Sequence, residues 1–335
     1  MRRGQHFPKG VITRISVESE ALKNNMLGDD AIRECDVYVP HGADPAGLPL
    51  LLDAAAYTSS GLAHTGWKGF DENLPERLDR LIATGEMKPA VVLFPDCFTR
   101  LGGNQYVNSS AMGNWADFLI KELVPTVEDK LKCGGAGKRG IFGISSGGYA
   151  AMVHGMFYAD FWSAIACHSG DMGFDMAYAA GFPTLLRKLA KHENSIEKFV
   201  GSVNANHNPG GEDIHALMLL AMAASYDPNP NTFCGIQLPV DSHTCEIIDE
   251  RWQEWLKWDP LQLVDAYTEQ LKSLKAVWLD CGDVDQFNFV YPARKMTAKL
   301  AAAGVRHRYE EFPDNHFSIS YRLDRSLPYL VDAFG

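Results

Sequence analysis

The chain predicts an α/β fold, a mostly parallel sheet flanked by helices and interrupted by one helical insertion, and three observations carry that prediction. Two continuous apolar runs, Leu50-Leu51-Leu52-Asp53 and Ala90-Val91-Val92-Leu93-Phe94, read as strands buried on both faces, the mark of a parallel sheet. The run Gly140-Ile141-Phe142-Gly143-Ile144-Ser145-Ser146-Gly147-Gly148 reads as strand, sharp turn and helix. Alternation of strand and helix patterns stops near residue 171 and resumes at Ala276-Val277-Trp278-Leu279-Asp280.

With 335 residues the chain is long enough for one large α/β domain or two ordinary ones. Its 46% hydrophobic and 22% charged residues are those of a soluble globular protein. The formal charge of -11 argues against nucleic acid and anionic membranes as partners and leaves small neutral or cationic molecules. No secretory signal is expected, because Met1-Arg2-Arg3-Gly4 leads into Gln5-His6-Phe7-Pro8 without an apolar stretch. The longest strongly apolar segment, Ala216 to Ala224, is too short to span a bilayer. Seven scattered cysteines, without C-x-x-C spacing, favour reduced thiols and a cytoplasmic setting. Cys167-His168 and His243-Thr244-Cys245 are isolated pairs, so no metal site is expected. The oligomeric state is left open, a homo-oligomer included.

Val11 to Val17 and Arg33 to Val39 alternate or are β-branched around the turn-rich Leu27-Gly28-Asp29-Asp30, which predicts two antiparallel strands. The first buried strand, Leu50 to Asp53, opens into the small-residue loop Ala54-Ala55-Ala56-Tyr57-Thr58-Ser59-Ser60-Gly61 and then a helix through Leu74, Leu78, Leu81 and Ile82. Loops at the C-terminal ends of parallel strands are where such sheets place their sites. The polar loop Phe98 to Asn114 either lines a pocket or is a solvated connection, and it precedes an amphipathic helix through Trp115, Phe118, Leu119, Leu123, Val124 and Val127. Gly134-Gly135-Ala136-Gly137-Lys138 resembles a phosphate loop, but it leads into a strand and lacks a following Ser or Thr. A strand over Phe161 to Cys167 ends at His168. The segment 171–258 then reads as a helical cap without strands, dividing a single core formed by residues 1–170 and 259–335. Trp252, Trp255 and Trp258 share one helical stripe, more often a packing face than a ligand cage.

The pattern Gly143-Ile144-Ser145-Ser146-Gly147 between strand and helix places Ser145 on a tight turn and the Ser146 N–H at the helix N-terminus, where an acyl-transfer oxyanion would form. A serine hydroxyl needs a base, and the base needs an orienting carboxylate. The loop after the last strand supplies His316, and the loop after Asp280 supplies Asp280, Asp283 and Asp285. Asp285 is the choice, since Asp280 still belongs to its strand and Gly282 provides the turn back toward the imidazole. His168 is the rival to His316 but precedes the insertion. Tyr106, His168 and Phe287 are candidate substrate contacts. The aspartates of this loop lack EF-hand spacing.

Val37-Tyr38-Val39-Pro40, Leu50 to Asp53, Gln105-Tyr106 with Ser109, Glu122-Leu123-Val124-Pro125, the Gly-Ile-Ser-Ser-Gly-Gly-Tyr turn, Trp258-Asp259-Pro260 and the His316 loop together resemble the Putative esterase family. That family includes S-formylglutathione hydrolase (esterase D), enterochelin esterases, feruloyl esterases and mycolyltransferases. The resemblance runs from about Val11 to Phe334, the cap excepted. It implies an α/β-hydrolase fold, no cofactor, a small-molecule ester substrate, a Ser145, Asp285 and His316 triad, and an oxyanion hole formed by the N–H groups of Ala55 and Ser146. Where many relatives carry glycine, this chain has Ala54-Ala55-Ala56; alanine donates the same N–H but does not readily take the φ > 0 conformations open to glycine. The expected function is serine carboxylic-ester hydrolysis through an acyl-enzyme. The alternatives are acyl transfer or thioester cleavage on the same triad, or a hydrolase fold retained for binding.

Overall fold

The computed structural model describes residues 7–335. The expectation about a leader rests on residues 1–8, of which 1–6 lie outside the described residues. Eight strands form the main sheet: β1 (Val11–Glu18), β2 (Ile32–Val39), β3 (Leu50–Ala54), β4 (Val91–Pro95), β5 (Arg139–Ile144), β6 (Ala164–His168), β7 (Ala276–Gly282) and β8 (Arg308–Phe312). Their spatial order is β1-β2-β4-β3-β5-β6-β7-β8. The pairs β1–β2 and β2–β4 are antiparallel and all others parallel. The two runs read as doubly buried strands, β3 and β4, are buried at every position.

Alternation along the central strands sends side chains to two apolar layers. Leu51, Val92, Phe94, Phe142 and Trp278 pack with the helices Leu74–Ala83 and Leu323–Asp332. Leu50, Leu52, Leu93, Ile141 and Val277 face the opposite layer, with the helices Ser146–Phe157 and Val290–Ala302. That second layer continues into residues 171–258, whose longer helices are Phe182–Ala190, Ile196–Ala205, Gly211–Tyr226 and Asp249–Leu256. No strand of the main sheet comes from this segment; a lone antiparallel bridge joins Val240 and Ile247. Trp252 and Trp255 are buried against Phe182, and the Trp258 indole N–H donates to the Tyr226 carbonyl, so the tryptophan stripe is a packing face. Among the described residues no helix is long and apolar enough to cross a membrane.

Three local readings change. The sixth strand starts at Ala164, because the Trp162 indole is drawn out to donate to His154 Nδ1 at 2.9 Å and Phe161 lies under the Arg139 guanidinium. The amphipathic stretch from Trp115 is broken by a wide π-helical segment, Phe118–Leu123, just ahead of Pro125, which has no N–H to continue a regular ladder. The loop Phe98 to Asn114 is mostly buried and tied to itself, with the Asn104 amide on the Cys97 carbonyl and the Tyr106 N–H on Asn104 Oδ1. It is neither a solvated connection nor a cavity wall.

The strand-turn-helix junction is held by backbone contact. A methyl group built on Gly147 would lie 1.8 Å from the Ala54 carbonyl oxygen, and one on Gly143 would lie 2.3 Å from the same atom. Only glycine lets the β3 loop and the helix Ser146–Phe157 approach so closely. Gly147→Ala should therefore cost several kcal/mol, read as a large fall in melting temperature or loss of folded protein. Gly201→Ala, in an exposed helix position with open space around the added methyl, should instead stabilise by about 0.5–1 kcal/mol.

On the same helix His154 is fully buried, with Nδ1 accepting from Trp162 and Nε2–H donating to the Tyr106 carbonyl at 2.8 Å. Burial lowers its pKa from 6.5 to about 4. The unfolded chain takes up this proton first, so the contribution is complete above pH 6.5 and is lost as pH falls toward 4, on the order of 3 kcal/mol in all. Urea unfolding at a series of pH values should show this slope in the wild type and a flatter one in His154→Gln.

Candidate active site

Ser145 stands at the end of β5 with φ 57° and ψ −123°, a conformation a non-glycine residue holds only under constraint from its surroundings. Its N–H donates to the His168 carbonyl at 2.9 Å, and its own carbonyl accepts from Tyr149 N–H at 2.8 Å. Parallel strands and helix thus pin the turn from both sides. Ser146 begins the helix, so its N–H is one of those a helix leaves without an internal acceptor.

His316 and Asp285 meet as expected from the loops after β8 and β7. His316 Nδ1 lies 2.7 Å from Asp285 Oδ2, and both side chains are almost fully buried. Asp285 Oδ1 accepts from the Phe287 N–H at 2.8 Å, which fixes the carboxylate. The His316 N–H donates to Gln286 Oε1 at 3.0 Å. Phe287 and Phe289 present their rings edge-on to the imidazole, at centroid separations of 4.7 and 5.4 Å. With Nδ1–H committed to Asp285, Nε2 is the atom left to exchange a proton. Ser145 and His316 line one cavity of about 1140 Å³ without a direct hydrogen bond between them. Such contacts commonly tighten only when substrate is bound.

The other two aspartates of the β7 loop are placed differently. Asp280 is buried and accepts from His168 Nδ1, Trp278 Nε1 and Arg322 Nε, at 2.7, 3.1 and 3.0 Å. Asp283 is exposed. His168 is therefore not a substrate contact: it is fully buried, its second ring nitrogen bonds Ser326 Oγ at 2.8 Å, and it ties β6 to β7 and to the last helix. Tyr106 is not a cavity residue either. It is buried, and its hydroxyl donates to the Ala55 carbonyl at 2.6 Å, holding the β3 loop against the turn. Phe287 does line the cavity. Ala55 and Ser146 are buried directly beside wall residues Ala56 and Ser145, and none of Ala54, Ala55 and Ala56 has positive φ, so alanine is unstrained there.

Two features carried no sequence signal strong enough to be read. Asp171, just past β6, lines the cavity almost wholly buried; its Oδ2 accepts from Tyr178 at 2.9 Å and from Ser146 Oγ at 3.3 Å, and Gln105 donates to that same Ser146 oxygen at 3.0 Å. Burial pushes the Asp171 carboxyl up to about 6, against the pull of these donors and of His316. On the other side of the cavity His64 Nδ1 bonds Asp53 Oδ2. The aspartate closing the otherwise apolar run Leu50 to Leu52 was the one visible hint of that pair. All seven cysteines are free thiols, and no cluster of three metal-ligating side chains occurs among the described residues.

A sequence comparison with curated proteins finds no match. Among solved structures, a ferulic acid esterase superposes with a TM-score of 0.60 at 17% identity, covering 98% of this chain and 100% of its own. An S-formylglutathione hydrolase from Agrobacterium tumefaciens gives 0.58 at 15% identity, covering 99% of this chain and 98% of its own. A ferulic acid esterase from Anaeromyces mucronatus, solved with ferulic acid, gives 0.57 at 13% identity, covering 100% of this chain and 94% of its own. These likenesses establish the α/β-hydrolase fold. The family model described as Putative esterase matches residues 34–324, almost the whole core with its insertion, and the chain belongs to that family of esterases.

Proposed function

We propose that the chain hydrolyses carboxylic esters through an acyl-enzyme on Ser145. The observation that carries this reading is the buried His316–Asp285 hydrogen bond opening on the same cavity as a serine held at φ 57°. His316 Nε2 takes the Ser145 hydroxyl proton as Oγ attacks the ester carbonyl, and the tetrahedral carbon forms with its oxygen negative. The N–H groups of Ser146 and Ala55 stabilise that anion; loss of one such donor typically costs about 3–4 kcal/mol of barrier. His316 then protonates the departing alcohol, and water, deprotonated by the same imidazole, releases the acid and restores Ser145. Asp285 keeps the ring in the Nδ1–H tautomer throughout and offsets the charge of the imidazolium.

The segment 171–258 acts in this reading as a cap on the core formed by residues 1–170 and 259–335. Its support is that Met176, Ile214 and Met218 line the same cavity as Ser145 and His316. The free thiols fit a reducing, cytoplasmic setting. Solved neighbours include enzymes named for ferulic acid esters and for S-formylglutathione, so both oxygen esters and thioesters belong in the substrate screen.

Hydrolysis of p-nitrophenyl esters from acetate to long acyl chains should be measurable in the wild type, and Ser145→Ala should lower turnover by roughly 10⁴–10⁶ with an unchanged melting temperature. Fluorophosphonate should label the wild type and not the variant. Equal activity in both proteins would remove Ser145 from the mechanism, and labelling without hydrolysis, with product transferred to an added alcohol, would make the protein an acyltransferase.

A further inference from the structure

The cavity that holds Ser145 is lined by both apolar and polar side chains. Residues 171–258 line it with a mixture, Met176, Ile214 and Met218 beside Asp171, Glu212 and His215, and Phe287 adds an apolar ring from the β7 loop. On the side of β3 it is polar, with Asp53, Ser59, His64, Lys68 and Arg77. Most of that polar wall is already engaged. Arg77 pairs with Asp324 and lies 3.6 Å from Asp71, and Lys68 lies 3.6 Å from Asp71. His64 differs: Nδ1 is held by the buried Asp53 carboxylate, while Nε2 has only a long 3.4 Å approach to Ser59 Oγ. Its side chain is 30% exposed, so the imidazole edge is reachable from the cavity.

Ser59, His64 and Asp53 repeat the residue types of the first triad, but not its machinery. Ser59 itself does not take the positive φ that Ser145 has. The helix that follows, Gly61–His64, has only four residues and offers no developed N-terminus for an oxyanion. The pair is therefore built to hydrogen-bond, not to form a covalent intermediate. A fixed imidazole edge on a cavity wall discriminates between ligands, because one lacking the matching group covers it without satisfying it.

Which half of an ester it meets follows from the sheet. Ser145 ends β5; His316 follows β8 on one side of it, and Asp53 lies in β3, paired in register with Phe142 on the other side. The leaving alcohol must lie within reach of His316 Nε2, which protonates it. With the oxyanion on the Ser146 and Ala55 N–H groups, the acyl part takes the remaining direction, and we assign it to the cavity wall that carries His64. Resting on the esterase reading above, we propose that the Asp53–His64 pair is an acyl subsite that selects acyl groups carrying a hydroxyl. The hydroxyl donates to or accepts from His64 Nε2, with Asp53 orienting the ring. Coulombic attraction to Asp53 raises the His64 pKa, so protonated and neutral ring both serve, one as donor and the other as acceptor.

The test compares ethyl hydroxyalkanoates, with the hydroxyl set progressively further from the ester, against ethyl alkanoates of the same chain length. At the hydroxyl position that reaches His64, wild type should prefer the hydroxylated ester by about tenfold or more in kcat/KM. His64→Leu should abolish that preference, and Asp53→Asn, which preserves shape, should weaken it; melting curves confirm that each variant is folded, and either variant alone suffices. Glyceryl butyrate against propyl butyrate probes the alcohol side. No preference at any hydroxyl position, or a preference that survives in a folded variant, overturns the subsite. Discrimination confined to the glyceryl pair overturns its assignment to the acyl half. Ser145-dependent hydrolysis without discrimination leaves the esterase reading standing, whereas absence of Ser145-dependent hydrolysis on every ester removes both.

Discussion

The closest constraint in this molecule is the contact between the Ala54 carbonyl and the backbone of Gly143 and Gly147. Three elements meet there: the end of β3, the end of β5 and the start of the helix Ser146–Phe157. Because no Cβ fits at either glycine, the helix starts immediately after the strand and Ser145 is left in a left-handed conformation that local preference opposes. The turn is held from below by the His168 carbonyl and from the side by the β3 loop, which Tyr106 anchors through the Ala55 carbonyl. Residues that look like pocket candidates, Tyr106 and His168, thus act one step away from the chemistry, as supports for the backbone that presents the serine.

The buried charges of the sheet edge divide along similar lines. Asp280 and Asp285 are only five residues apart, one in β7 and the other in the loop after it, yet Asp280 is consumed by His168, Trp278 and Arg322, a network that joins two strands and the turn leading into the last helix. Asp285, past the turn at Gly282, accepts from the Phe287 and Phe289 N–H groups through Oδ1 and from His316 and, weakly, the Cys281 thiol through Oδ2. A carboxylate already satisfied by a guanidinium and an indole has little capacity to orient a further imidazole, whereas one held by a backbone donor retains an oxygen for it. Asp171 is a third case, a carboxyl raised by burial beside the turn and moderated by Tyr178 and Ser146.

Chain order and local pattern were enough to read the sheet, the turn at Ser145 and the two strand-end loops that bring His316 and Asp285 together. Each of these follows from interactions between near neighbours: alternation, glycine flanking a serine, and a turn after a strand. The start of β6 and the break at Phe118–Leu123 were misread because distant or proline-specific contacts override propensity there, Trp162 reaching back to His154 and Pro125 lacking its N–H.

By itself the sequence determined the class of fold, the insertion between β6 and β7, and the identity and order of the three residues proposed for catalysis. Those features are written in periodicity and in residues that must stand at strand ends. Tertiary structure alone decided which buried polar groups are spent on each other and which face the cavity. His168 and His64 both sit beside an aspartate, but one is sealed under the last helix and the other keeps an imidazole edge toward the cavity. That difference arises from helices packed far along the chain, Leu323–Asp332 against β6 and β7, and no local pattern around either histidine encodes it.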